Sequence, residues 1–122
     1  MRPRFALPLL VFLCAIACEA GAASDRPFHA LVKRAAAARE AGQFDRAIAD
    51  ATEAIKLNAR NAPVHWIRGA AHVGRNDYDR AIADLTRAIA IDPKYAAAYS
   101  WRAAAWKAKG DDDRALYDAD QV

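Results

Sequence analysis

Between positions 44 and 57 the apolar residues Ala47, Ile48, Ala51, Ala54 and Ile55 follow an i, i+3, i+4 spacing. That spacing lays them along one stripe of a helix and leaves Asp45, Arg46, Glu53 and Lys56 for the solvated side. The same pattern returns between Tyr78 and Ile91, carried by Ala81, Ile82, Leu85, Ala88 and Ile89. Each amphipathic stripe follows a stretch of high helix propensity. One covers 28–41 and reads HALVKRAAAAREA after Phe28, one has Pro63 in its first turn and runs to about Gly74, and one covers 96–109. A sixth helix begins near Asp112 and is cut off at Val122. The punctuation is local: Gly42 stops the first helix, with Ser24 or Asp25 as its N-cap, and 58–61, 75–77 and Gly110-Asp111 are turns. Asp92-Pro93 ends the fourth helix, because proline cannot continue the hydrogen-bond ladder and restricts the residue before it.

A second periodicity lies above the first. Asp45-Arg46-Ala47-Ile48-Ala49-Asp50 recurs as Asp79-Arg80-Ala81-Ile82-Ala83-Asp84 and, more loosely, as Asp113-Arg114-Ala115-Leu116-Tyr117-Asp118, each time 34 positions on. A fixed period of this size means one helix pair stacked on copies of itself, since no single pair buries its own apolar face. Arg34, Arg68 and Arg102 share the period, as do Asp50, Asp84 and Asp118. We expect these to form a structural ladder in which each arginine reaches a helix carboxylate in its own or the adjoining unit. Ala35, Gly69 and Ala103 on the first helices, and Ala47, Ala81 and Ala115 on the second, let paired backbones approach closely. Ile48, Ile55, Ile82, Leu85, Ile89 and Trp106 then fill the seams.

With these residues in place the chain resembles the tetratricopeptide repeat family. The unit 62–95 matches best, through Gly69, Tyr78, Ala81, Ala88 and Pro93; the unit 28–61 matches through Ala35, Phe44, Ala47 and Ala54, with Ala59 in place of the expected proline; the unit 96–122 matches through Tyr99, Ala103, Trp106, Gly110 and Ala115 but is incomplete. The resemblance implies an all-α, right-handed α-solenoid of antiparallel helix hairpins, two full units plus a truncated third, with a concave face lined by the first helix of each unit. His65 and His72 stand where the family carries Trp and Tyr, and Arg34, Arg68 and Arg102 where it often carries Leu.

The resemblance also implies which residues face the groove, and from those we select Val32, Lys33, Arg39, Trp66, Ile67, Val73, Trp101 and Lys107 as the candidate protein-binding surface. Trp66, Ile67 and Trp101 are expected as apolar anchors, because exposed tryptophan is the residue type most enriched at binding hot spots. Lys33, Arg39 and Lys107 form the charged rim, suited to a ligand carboxylate or an acidic peptide. Family members that bind chaperone tails clamp a peptide carboxyl terminus with Lys and Asn at set positions. Here those positions carry Val32, Ala36, Ile67, Ala97 and Trp101, so that clamp is not expected.

The amino end changes the picture of where the protein works. Met1-Arg2-Pro3-Arg4 is a basic head, 5–17 is an apolar run of signal length, and Ala20-Gly21-Ala22 offers a cleavage site, so residues 1–22 read as an export signal. The competing reading is a lipoprotein, since Ala15-Ile16-Ala17-Cys18 resembles a lipobox that would acylate Cys18 and anchor the protein to a membrane. Both cysteines, Cys14 and Cys18, lie in this segment, so a secreted form has no thiol for a disulfide, a metal site or a nucleophile. The formal charge of +3 becomes +2 without Arg2, Arg4 and Glu19, and the remaining charges alternate in sign along helices. That is a solvated surface and does not indicate a nucleic-acid partner.

Catalytic chemistry has no foundation here. His65 and His72 lie seven residues apart, roughly 10 Å along one helix, too far to share a metal without a third group. Asp111-Asp112-Asp113 is explained by capping and the helix dipole. There is no Gly-rich phosphate loop and no nucleophile with a base at a recognisable spacing. The expectation is an exported, non-enzymatic, cofactor-free module of the bacterial periplasm, with a protein or peptide as partner. The alternatives are a self-associating scaffold using the last repeat, or an accessory fragment of a cell-envelope enzyme.

Overall fold

The computed structural model describes residues 25–122. The export signal at 1–22 and the lipidation reading at Cys18 lie outside the described residues. Six helices follow in order among them: α1 (Asp25–Glu40), α2 (Phe44–Leu57), α3 (Ala62–Gly74), α4 (Tyr78–Ile91), α5 (Ala96–Ala108) and α6 (Asp112–Ala119). Consecutive helices pack as hairpins, α1 on α2, α3 on α4 and α5 on α6, and each hairpin stacks on the next through α3 and α5. The result is an all-α solenoid. α1 begins at Asp25, with Pro27 in its first turn, as the cap expected at Ser24 or Asp25 implied.

The turns repeat as faithfully as the helices. Gly42 (φ +78°), Asn76 (φ +63°) and Gly110 (φ +88°) occupy the same place in successive hairpins, just past a first helix, and all three take the left-handed conformation that closes a helix end. Asn76 manages this with a side chain because asparagine tolerates that region. Asp77 and Asp111 then cap α4 and α6 by accepting from the backbone N–H groups of Arg80 and Arg114, and Asn61 caps α3 by accepting from that of Val64.

Close approach within a hairpin depends on the small residues that recur with the period. Ala35, Ala47 and Ala81 are fully buried. A Cβ on Gly69 would stand 2.8 Å from Leu85 Cγ, so α3 and α4 meet closely enough that a side chain there would have to displace Leu85. Two seams carry most of the core. Phe28, Ala35, Ala51, Ala54, Val64 and Ile67 bury the junction of the first and second hairpins; Ala62, Ala81, Leu85, Ala88 and Ala98 bury that of the second and third.

Candidate functional site

The arginine ladder forms as expected, with one member the periodicity had not suggested. Arg68 donates from Nε (2.9 Å) and Nη2 (2.7 Å) to the two carboxylate oxygens of Asp84 in its own hairpin, and from Nη1 to Thr52 Oγ1 in the preceding one at 3.2 Å. Arg102 repeats this on Asp118 (2.7 and 2.7 Å) and Thr86 (3.1 Å). Each arginine thus takes its carboxylate from 16 positions downstream and its hydroxyl from 16 upstream. Thr52 and Thr86 themselves recur at the 34-residue period, so the hydroxyl half of each rung is also written in the sequence. The first rung is looser: Arg34 Nη2 lies 3.5 Å from Asp50 Oδ1, and the buried Oδ2 of Asp50 has no hydrogen-bond partner. The bidentate bond to Asp118 holds the Arg102 guanidinium above its already high ordinary pKa.

His65 and His72 are buried, as expected for residues standing in for core aromatics. The His65 ring bonds through Nε2 to the Ala59 carbonyl at 2.8 Å. His72 sits with Nε2 3.7 Å from Asp84 and Nδ1 3.9 Å from Asp77. Burial pushes its pKa below the ordinary histidine value; Arg68 and Arg80 act in the same direction, while Asp84 and Asp77 oppose it.

Among the groove candidates, Arg39 is placed differently from a charged rim. Its guanidinium leaves the end of α1 and lies 4.8 Å from the Trp66 ring centre on α3 and 6.0 Å from that of Trp101 on α5. Its side chain is 16% exposed, its Nε is buried with no acceptor, and the carboxylate it approaches, on Glu40, stands 3.8 Å away. Trp66 is half-buried: it packs against both hydrophobic seams and meets Tyr95 edge-on at 6.0 Å, while its buried indole N–H has no partner. Trp101 and Val73 are half-buried against the second seam. Burial raises the Tyr95 hydroxyl pKa, helped by Asp92 and opposed by the Arg39 charge.

The match of the chain, over residues 32–94 and again over 68–122, to the model of the tetratricopeptide repeat covers essentially all of this structure. The chain belongs to the tetratricopeptide repeat family. Among solved structures, the tetratricopeptide repeat domain of Arabidopsis OM64 superposes with TM-score 0.76 at 30% identity, covering 78% of this chain and 78% of that one. The second such domain of Spaghetti (RPAP3), bound to the HSP90 peptide SRMEEVD, gives 0.75 at 26% identity over 81% and 94%. The TPR2B domain of yeast Sti1, in a pHsp70 complex, gives 0.76 at 26% over 79% and 77%. No curated protein sequence matches the chain.

Within this tetratricopeptide repeat array, Arg39, Trp66, Val73 and Trp101 lie on the first helices as the resemblance implied. Besides Arg39, Ile67 and Lys107 depart from their expected roles. Ile67 is 3% exposed, packed into the first seam between α1 and α3, and therefore unavailable as an anchor. Val32 is half-buried against that same seam. Lys107 borders a different depression, between α5 and α6, beside Leu116 and Ala119. Lys33 is exposed. Tyr95, which buttresses Trp66 from the loop before α5, had no signal of its own in the sequence. Among the described residues no group of three or more His, Cys, Asp or Glu side chains is placed to hold a metal ion.

Proposed function

We propose that this tetratricopeptide repeat array is a non-catalytic protein-protein interaction module whose concave face holds a protein or peptide segment carrying a carboxylate next to apolar side chains. The observation that carries the reading is Arg39. A cation held between two indoles, with no close carboxylate of its own, is a preorganised acceptor site for an anion, and its stacking fixes the direction of the remaining N–H groups. Trp66 and Trp101 supply apolar area beside that charge, the combination typical of a hot spot. Of the solved relatives, that from Spaghetti is bound to an HSP90 peptide and that from yeast Sti1 is in a pHsp70 complex. Here the clamp positions carry Val32, Ala36, Ile67, Ala97 and Trp101, so the ligand chemistry differs from a chaperone tail and depends on Arg39.

The apolar run at 5–17 behind a basic head supports export to the bacterial periplasm, with acylation at Cys18 as the alternative fate of the same segment. Fractionation of cells producing the full-length chain tests this, since recovery from the cytoplasm would exclude both. For the groove, a photo-reactive residue is placed at position 101 in one strain and at 80, on the second-helix side, in another. A protein captured from 101 alone, and lost when Arg39→Ala is added, supports the module. Equal capture from both positions, or capture indifferent to Arg39→Ala, removes the groove as the working surface.

A further inference from the structure

The two layers of the array differ in charge. α3 and α5 contain no carboxylate side chain, and α1 carries its own only at its two ends, as Asp25 and Glu40. Each second helix carries at least two, among them the ladder members Asp50, Asp84 and Asp118. The ladder arginines Arg68 and Arg102 are neutralised by those carboxylates. What is left on the first-helix side is the exposed Lys33 and the cation of Arg39, with no acid between the ends of α1 to offset them. A surface of this sign repels a basic segment and favours an acidic one.

At Arg39 that preference becomes specific. Its Nε is buried without an acceptor, and so is the indole N–H of Trp66, whose ring centre lies 4.8 Å from the guanidinium. A buried donor left unmade is costly, and two of them meeting at one cation mark the place of an acceptor. A carboxylate accepts on both oxygens at once, so one group can serve the cation and the indole together. Its arrival breaks no bond, because Arg39 is held by ring contacts and the Glu40 carboxylate stands 3.8 Å away. The guanidinium is therefore free to yield as an oxygen enters between the two donors. A phosphate dianion calls for a cluster of cations, whereas among the described residues Arg39 is the cation over both indoles. Trp66 belongs to the second unit and Trp101 to the third, so apolar area extends from the cation along the array. A chain end seated on Arg39 would cover one of these rings, and a segment passing through covers both.

We infer that the concave face takes a glutamate side chain from within a continuous segment that has aromatic neighbours, with Arg39 and the Trp66 indole N–H each bonding one oxygen of its carboxylate. The inference deepens the groove reading above and rests on it. Trp66 is then a donor that sets specificity as well as an apolar wall, and Trp101 packs a residue next to the glutamate. Glutamate suits the site better than aspartate, because the Arg39 side chain is recessed, at 16% exposed, and the longer arm reaches it.

The test is calorimetric titration of the protein purified from its full-length coding sequence, with circular dichroism confirming that each variant is folded. The probe is a heptapeptide, acetylated and amidated at its ends, with a central glutamate between two phenylalanines. It binds with a Kd below roughly 1 mM, and replacing its glutamate by glutamine weakens binding about tenfold or more. A glutamine peptide with a free carboxyl terminus, and one with phosphoserine at the centre, bind no better than the blocked glutamine peptide. Trp66→Phe keeps a ring and removes the N–H, and it weakens the glutamate probe about tenfold while leaving the glutamine probe unchanged. Arg39→Lys, which keeps the charge and loses the fork, does the same. No binding of the glutamate probe, equal binding of the glutamine, free-terminus or phosphoserine peptide, or indifference to Trp66→Phe overturns the inference. Partner capture from position 101 that still depends on Arg39 would then leave the groove reading standing, and capture indifferent to Arg39 would remove both.

Discussion

Replacing Arg68 by alanine tests how much of the stack rests on its polar rungs. The substitution removes two charge-assisted bonds and the bond to Thr52, and it leaves the Asp84 carboxylate, only 10% exposed, without its cation. Breaking a fully buried pair from one side costs about 3–5 kcal/mol. The arginine itself is 23% exposed, so water reaches the vacated site, and a loss of about 2–4 kcal/mol is expected. The loss also depends on pH in a way that a packing defect does not. In the parent protein the folded pKa of His72 lies below its ordinary value, so its contribution is intact above that value and declines as pH falls towards the folded pKa. In Arg68→Ala a cation that lowered that pKa is gone, and Asp84 is left unneutralised 3.7 Å from the ring. His72 then binds a proton more readily when folded, and protonation partly replaces the lost arginine. The destabilisation is therefore larger near about pH 8 than near about pH 5.5. Urea unfolding followed by far-ultraviolet circular dichroism at the two pH values measures both quantities. A loss below about 1 kcal/mol, or the same loss at both, would refute the coupling of Arg68, Asp84 and His72.

Two further substitutions probe the same architecture with smaller expected effects. Arg75→Ala removes a 2.7 Å ion pair to Asp45, but with side chains 51% and 83% exposed the change in unfolding free energy should stay within about 1 kcal/mol. A larger cost would mean that the outer ion pairs hold the hairpins together. Gly69→Ala gains about 1 kcal/mol of helix propensity but forces its Cβ to within 2.8 Å of Leu85 Cγ and 3.3 Å of the Ala81 carbonyl. A net loss of about 1 kcal/mol is expected in a thermal melt, and a net gain would mean that the α3–α4 separation is not set by contact.

Much of this molecule could be read before its structure because its determinants are local and repeated. Helix limits follow from Gly42, Asp92-Pro93 and the i, i+3, i+4 stripes, which act within a few residues of themselves. The ladder was legible because Arg68 and Asp84 recur in phase, and a period shared by opposite charges implies a shared neighbour. The groove was less legible because its members come from three different units. Whether Ile67 faces the ligand or the neighbouring helix depends on how α3 is turned about its axis, and here it is buried in one cluster with Phe28 and Ala35. Arg39 reads as a surface cation in any window of the sequence. Only the stacking of α1, α3 and α5 brings two indoles under it.

That stacking has a mechanical consequence. A solenoid held only by contacts between adjacent units behaves as a one-dimensional chain, and its end units fray independently. Arg39 departs from that rule, since the guanidinium of a residue in the first hairpin lies 4.8 Å from the Trp66 ring centre in the second and 6.0 Å from that of Trp101 in the third, within cation–π range of both. It acts as a strut across the concave side, so flattening the array must pull the cation off one indole. A ligand that engages Arg39 therefore also changes the stiffness of the curve it binds, and amide protection at the two ends should rise or fall together.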